Sequence, residues 1–146
     1  MENNILKLKR VSATPSYQGD SMESKVASCV TELMNAATSF HKLHLKVTGL
    51  GSYASHKALN ELYDALPGHA DDLAEGFQGA AEKLLEYNDL APRILNSVEE
   101  ALSYIRDIYS MVNSLQAVVP YSEIVNDLDN VKSTLNSIKY KLLFLK

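Results

Sequence analysis

Residues 26–47 read VASCVTELMNAATSFHKLHLKV. Val26, Val30, Leu33, Ala37, Phe40, His44 and Val47 recur at alternating steps of four and three, which gathers them on one face of an α-helix. Gly49 and Gly51 follow and stop that helix, so the first helix is expected from about Ser21 to Val47. Such a stripe is stable only against other helices. Its one polar member, His44, stands where a leucine would pack.

Downstream, the same period returns three times. A second helix is expected from about Tyr53 to Phe77, with Leu59, Leu62, Leu66, Leu73 and Phe77 on its apolar face. Pro67-Gly68 lies in its middle. A proline removes a hydrogen bond and crowds the preceding turn, so a kink or short break is expected there. Residues 79–96 form a longer link, with a short helix expected around Glu82–Tyr87 and Pro92 as a breaker. Ser97 and Glu100 have capping-box spacing and open a third helix, whose stripe is Val98, Leu102, Ile105, Tyr109, Val112, Leu115 and Val119. After Pro120 a fourth helix starts near Ser122, with Val125, Leu128, Val131, Leu135, Ile138, Leu142 and Leu145 inward. Four amphipathic helices, two short links and one long one specify an all-α, antiparallel four-helix bundle over residues 21–146. Upstream, residues 1–20 are a leader without a period, carrying Lys7, Lys9, Arg10, Pro15 and Gly19.

The bulk chemistry narrows the function. The formal net charge of −4 argues against nucleic acid as an obligatory partner, because phosphate binding needs concentrated positive charge. No apolar run approaches the roughly 20 residues of a bilayer span, and no signal-peptide pattern opens the chain. A cytoplasmic location is expected. The lone Cys29 forms no intrachain disulfide and reads as a small buried hydrophobe beside the first stripe.

The second helix carries a polar sector as well. At about 100° per residue, His56, Asn60, Asp71 and Glu75 fall within roughly 100° of one another, away from the leucines. A solvated face explains such a sector, as a histidine hydrogen-bonded to a carbonyl explains His44. The alternative is a metal site, since imidazole and carboxylate together suit iron, manganese or zinc. His56 and Asp71 are about 22 Å apart along one helix and cannot share an ion within one chain. A second copy, packed antiparallel across a two-fold axis, would bring His56 of one chain near Asp71 and Glu75 of the other, so the metal reading requires an oligomer.

The stretch His44-Leu45-Lys46-Val47-Thr48-Gly49, then His56, then Asp71-Asp72-Leu73-Ala74-Glu75, resembles the Dps family of ferritin-like mini-ferritins. The steps from His44 are +12 to His56, +16 to Asn60, +27 to Asp71 and +31 to Glu75, in the family's register without a gap. The resemblance implies a ferritin-like bundle in which His44 and His56 come from one subunit and Asp71 and Glu75 from its two-fold mate. It also implies a homo-oligomer, commonly a hollow twelve-subunit shell that oxidises ferrous iron with peroxide and stores the mineral. Asn60 stands where that family has a carboxylate, and Leu45 where it has tryptophan. The wording Ser55-His56-Lys57-Ala58-Leu59, Leu62-Tyr63-Asp64 and Glu75-Gly76-Phe77-Gln78-Gly79 is similar to small ferritin-like proteins of unassigned function from tailed phages. For such a relative the fold carries over better than the activity.

Two functions follow. In the first, the chain binds iron or a similar divalent ion at inter-subunit sites, with His44 and His56 as nitrogen ligands, Asp71 and Glu75 of the mate as oxygen ligands, Asn60 as a weak ligand or hydrogen-bonding support, and weak ferroxidase activity. In the second it is a structural or interaction protein, for example part of a phage particle, that keeps the bundle without redox work. Its location is then host cytoplasm or virion. Lys7, Lys9 and Arg10 could touch DNA phosphates, as basic tails of the Dps family do. His41 and His69 lie outside the matched register, and Tyr63 reads as core or interface.

Overall fold

The computed structural model describes residues 21–146; the leader, with Lys7, Lys9 and Arg10, lies outside the described residues. Four helices carry the described residues: α1 (Met22–His44), α2 (Ser52–Ala81), α3 (Val98–Gln116) and α4 (Ser122–Phe144). Among the described residues there is no strand. Capping fixes two of the starts. The Ser21 hydroxyl accepts from the Ser24 N–H at 3.1 Å, and the Ser97 hydroxyl accepts from the Glu100 N–H at 3.1 Å. The Glu100 carboxylate reaches back to the N–H of Asn96, one residue before the cap, so the box is closed a step early.

Packing runs around a ring: α1 on α2, α2 on α4, α4 on α3, and α3 on α1. The turn 45–51 reverses α1 into α2. The link 82–97 then runs back along α1: Asn88 reaches Ser28, Leu90 takes the Asn35 amide, Arg93 the Ser39 hydroxyl, and Asn96 the Lys46 ammonium. It therefore delivers α3 to the far end of the bundle. Side-chain ties from Glu61 to Lys141 and His69 to Thr134, and from Asn113 to Lys132 and Gln116 to Asp129, show α2–α4 and α3–α4 to be antiparallel. Every packed pair is antiparallel, and the single long crossover is the connection of ferritin-like bundles.

The core is the expected one on α1 and α2. Val26, Val30, Leu33 and Phe40 are fully buried, as are Leu59, Leu62, Leu66, Leu73 and Phe77. Burying a leucine or phenylalanine contributes about 1.5–3 kcal/mol relative to leaving it exposed. Cys29 is buried, and burial pushes its thiol up to about 12, as expected of an inert core residue.

Four expectations are corrected. No break occurs at Pro67-Gly68: α2 is continuous from Ser52 to Ala81, because Pro67 lies on the exposed side while Leu66, Ala70 and Leu73 hold the other side in the core. No helix forms around Glu82–Tyr87. There Glu82 turns left-handed at φ 51°, and the Gln78 side-chain oxygen accepts from the Leu85 N–H and the Tyr87 hydroxyl, holding this part of the link against the end of α2. On α4 the fully buried residue of the first turn is Ile124, with Val125 only partly covered, and Leu145 is exposed past the helix end. Finally, α1 stops at His44 rather than Val47, turning at Leu45 and Lys46.

Candidate functional site

The end of α1 and the first half of α2 meet in a seam of aromatic rings. His44, in the last turn of α1, stacks on His56 of α2 with centroids 3.7 Å apart. His41, one turn earlier, stacks on Tyr63 at 3.9 Å with planes 12° apart. The two stacks touch, since His44 lies 5.1 Å from Tyr63 and 5.7 Å from His41. Three of the chain's four histidines thus share one seam. The short turn 45–51 makes this possible, because it sets the C-terminal end of α1 against the N-terminal end of α2.

His44 is 7% exposed, and neither ring nitrogen has a hydrogen-bond partner. A buried imidazole without partners is costly, on the order of 1–3 kcal/mol for each unsatisfied group. Burial, and then the neighbouring His56 and His41, hold its pKa below the ordinary histidine range against the opposing pull of the His41 backbone and Asp64, so the ring is neutral at pH 7 with a lone pair to give. His56 Nδ1 sits 3.0 Å from the carbonyl oxygen of His44. A carbonyl only accepts, so Nδ1 carries the proton and the neutral ring keeps its lone pair on Nε2. That bond satisfies a carbonyl at the end of α1 and also fixes the tautomer a metal ligand needs.

Asn60 is held from two sides. Its side-chain oxygen accepts from the Tyr63 hydroxyl at 2.7 Å, and its amide nitrogen donates to Asp64 Oδ2 at 2.9 Å. This is a supporting role between neighbours. Asp71 and Glu75 are exposed on α2, and among the described residues neither makes an ion pair or hydrogen bond. The continuous helix keeps Asp71 about 22 Å from His56. The seam therefore brings together His44, His56 and Asn60 of the expected set, and leaves Asp71 and Glu75 apart from them.

Sequence reasoning missed His41, Tyr63 and Asp64 as members of the seam. The signal was present in spacing: His41 and His44 are three apart on α1, and Asp64 is four beyond Asn60 on α2. His69 is elsewhere, its Nε2 2.8 Å from the Thr134 hydroxyl on α4.

Among the described residues no group of three or more histidine, cysteine or acidic side chains is placed to hold a metal within one chain. The stacking explains this for the histidines. Parallel rings present their faces to each other and send their nitrogens side by side, not toward one point. Nor is there a carboxylate site in the bundle interior, where the buried polar residues are Thr31, Ser39 and His44. The partly buried Glu32 of α1 accepts from the Tyr104 hydroxyl and lies 3.9 Å from Arg93, whose guanidinium sits over the Tyr104 ring. That cluster ties the crossover to α1 and α3. No helix of the described residues is long and apolar enough to cross a membrane.

No curated protein and no solved structure matches the chain. A comparison with protein families matches residues 44–142, more than half of the chain, from the buried seam histidine to the last core leucine of α4. The chain belongs to that family, described as the Family of unknown function (DUF5856).

Proposed function

We propose that the chain is a homo-oligomeric metal-binding protein whose sites are shared between copies, with iron or another divalent first-row ion as the cargo. The observation that carries this reading is His44: a buried neutral imidazole with both nitrogens unpartnered, packed against a second imidazole whose tautomer leaves Nε2 as its donor atom. His44 and His56 supply nitrogens. Asp71 and Glu75 of a two-fold mate supply oxygens, and they are exposed and uncommitted. Binding requires the His44 ring to turn off the His56 face, so that the two lone pairs converge. Asn60 holds no ion. It positions Tyr63 and Asp64, and as a neutral amide it leaves one carboxylate fewer than a di-iron site would use, which favours one well-held ion per site and slow iron oxidation.

Calorimetric titration of ferrous iron, under anaerobic conditions, into wild type and His56→Ala tests the reading. Wild type should bind and the variant should lose at least tenfold in affinity; equal binding would sink the proposal. A second reading, a structural bundle without redox work, is favoured by the stacked rings, which pack as core aromatics do. Ferrous iron mixed with peroxide separates the two. Ferric build-up above the uncatalysed rate belongs to the first reading, and its absence to the second.

A further inference from the structure

Charge is divided along the bundle. Beyond Asp129 the charged side chains are Lys132, Lys139, Lys141 and Lys146, with no carboxylate among them. The last three lie at the end of the bundle where the turn 45–51 adds Lys46 and where α3 starts. The carboxylates at that end are few and mostly engaged. Glu61 pairs with Lys141, Glu100 accepts from the Asn96 N–H, and Glu99 lies on the rim. The opposite end carries Glu23, Glu82, Glu86, Glu123 and Asp127 against Lys25 and Lys83. The lysine-rich end also exposes apolar side chains. Leu50, at the tip of the turn, is fully open to solvent, and Leu45, Tyr140, Phe144 and Leu145 are exposed. Tyr140 and Phe144 pack ring to ring at 5.7 Å. The turn and the end of α4 are contiguous: a hollow of about 330 Å³ is shared by Lys46, Leu50, Leu142 and Lys146, and a side chain added at Gly51 would lie 3.4 Å from the Lys146 Cβ.

An apolar tip among lysines has few fitting occupants. Nucleic acid would engage the lysines and leave Leu50 and Phe144 in water. A second copy of the same end would set lysine against lysine. An anionic lipid surface takes both. The boundary of headgroups and acyl chains accepts leucine and aromatic side chains, and the phosphates accept the ammonium groups, whose alkyl stems cover the apolar rim. It also repels the acidic end, which orients the bundle on the surface. We propose that this end of the bundle docks on an anionic phospholipid membrane, with Leu50, Phe144 and Leu145 entering the interface and Lys46 and Lys146 pairing with lipid phosphates. Lys46 donates one hydrogen bond to Asn96 Oδ1 and keeps two N–H groups for a phosphate. The contact lies on the membrane surface and needs no spanning helix. It is separate from the metal reading, because none of its residues belongs to the His44–His56 seam.

Flotation of the full chain with lipid vesicles tests this, using phosphatidylcholine alone and phosphatidylcholine with about a third phosphatidylserine. Wild type should float with the anionic vesicles and bind the neutral ones at least tenfold more weakly. On the anionic vesicles Lys46→Gln/Lys146→Gln should lose about tenfold or more, and Leu50→Asn/Phe144→Asn a similar factor. Glu82→Gln/Glu123→Gln, at the far end, should not weaken binding. All six positions are exposed, so the variants keep the fold, which a helical circular-dichroism spectrum confirms. No flotation with either vesicle, equal flotation with both, or wild-type flotation by either of the first two variants overturns the proposal. Retention of duplex DNA without flotation assigns the lysines to nucleic acid. Assemblies in sedimentation that Leu50→Asn/Phe144→Asn dissolves, without flotation, assign this end to another copy of the chain, and either result overturns the proposal as well.

Discussion

At the scale of single residues, Asn60 separates two accounts of the site. Its amide nitrogen lies 2.9 Å from Asp64 Oδ2. Asn60→Asp replaces that donor with a second carboxylate and sets two negative charges against each other. Without metal the variant should lose up to about 1 kcal/mol of stability at pH 7, the size of an exposed pair interaction. Added divalent ion should reverse the loss and raise both ion stoichiometry and iron oxidation rate. Thermal melts with and without zinc check this, and a variant unaffected by either charge or ion would show that position 60 is remote from any binding site. His69 gives a second prediction, on pH. Burial lowers its pKa, against the opposing pull of Asp72 on α2 and Asp127 on α4. Its folded pKa lies below the unfolded value of about 6.5, so the folded chain binds fewer protons. Stability is then fully present above that value and falls as pH drops through it toward the lowered folded value. Urea midpoints between pH 7.5 and 5.5 should fall for wild type and fall less for His69→Gln; parallel curves would contradict the assignment.

At the scale of elements, α2 decides most of the architecture, and its sequence shows both what was legible and what was not. The leucines at 59, 62, 66 and 73 and Phe77 mark the buried face by period alone, and all are buried. His44 on the α1 stripe is buried as its position demands. Continuity through Pro67 was not legible, since local chemistry argues for a break and the packing of the opposite face overrides it. The link after α2 misled in the other direction. The run from Glu82 to Tyr87 contains good helix formers, yet its path is set by Gln78 and by distant partners on α1, which no local pattern reveals. The pairing of His41 with Tyr63 is likewise a contact between helices, fixed by the turn that joins them. Two glycines in α2 give a paired test. A side chain at Gly68 would meet open space, whereas one at Gly76 would come within 2.9 Å of the Ile124 methyl in the core. Gly68→Ala should therefore stabilise the chain by about 1 kcal/mol. Gly76→Ala should gain less or lose, because a fully buried Ile124 must shift. Equal gains in chemical denaturation would mean that α2 and α4 pack more loosely at that point than described.

At the scale of the whole molecule, the bundle separates its donors. His41, His44 and His56 occupy one end of the α1–α2 seam, and Asp71 lies about four turns along α2 from His56. The interior offers no substitute, being apolar apart from Thr31, Ser39 and His44 among the described residues. On the proposed reading one chain is half of each site, and that reading stands or falls on the division. Subunit complementation measures it. His56→Ala and the double variant Asp71→Asn/Glu75→Gln should each fail to bind ferrous iron at the shared sites. Unfolded together in equal amounts and refolded, they should regain about a quarter of the wild-type sites, since half the histidine sets and half the carboxylate sets are intact and pair at random. Recovery of that fraction is the result this account predicts; a mixture as silent as its two components, or full binding by either variant alone, would contradict it.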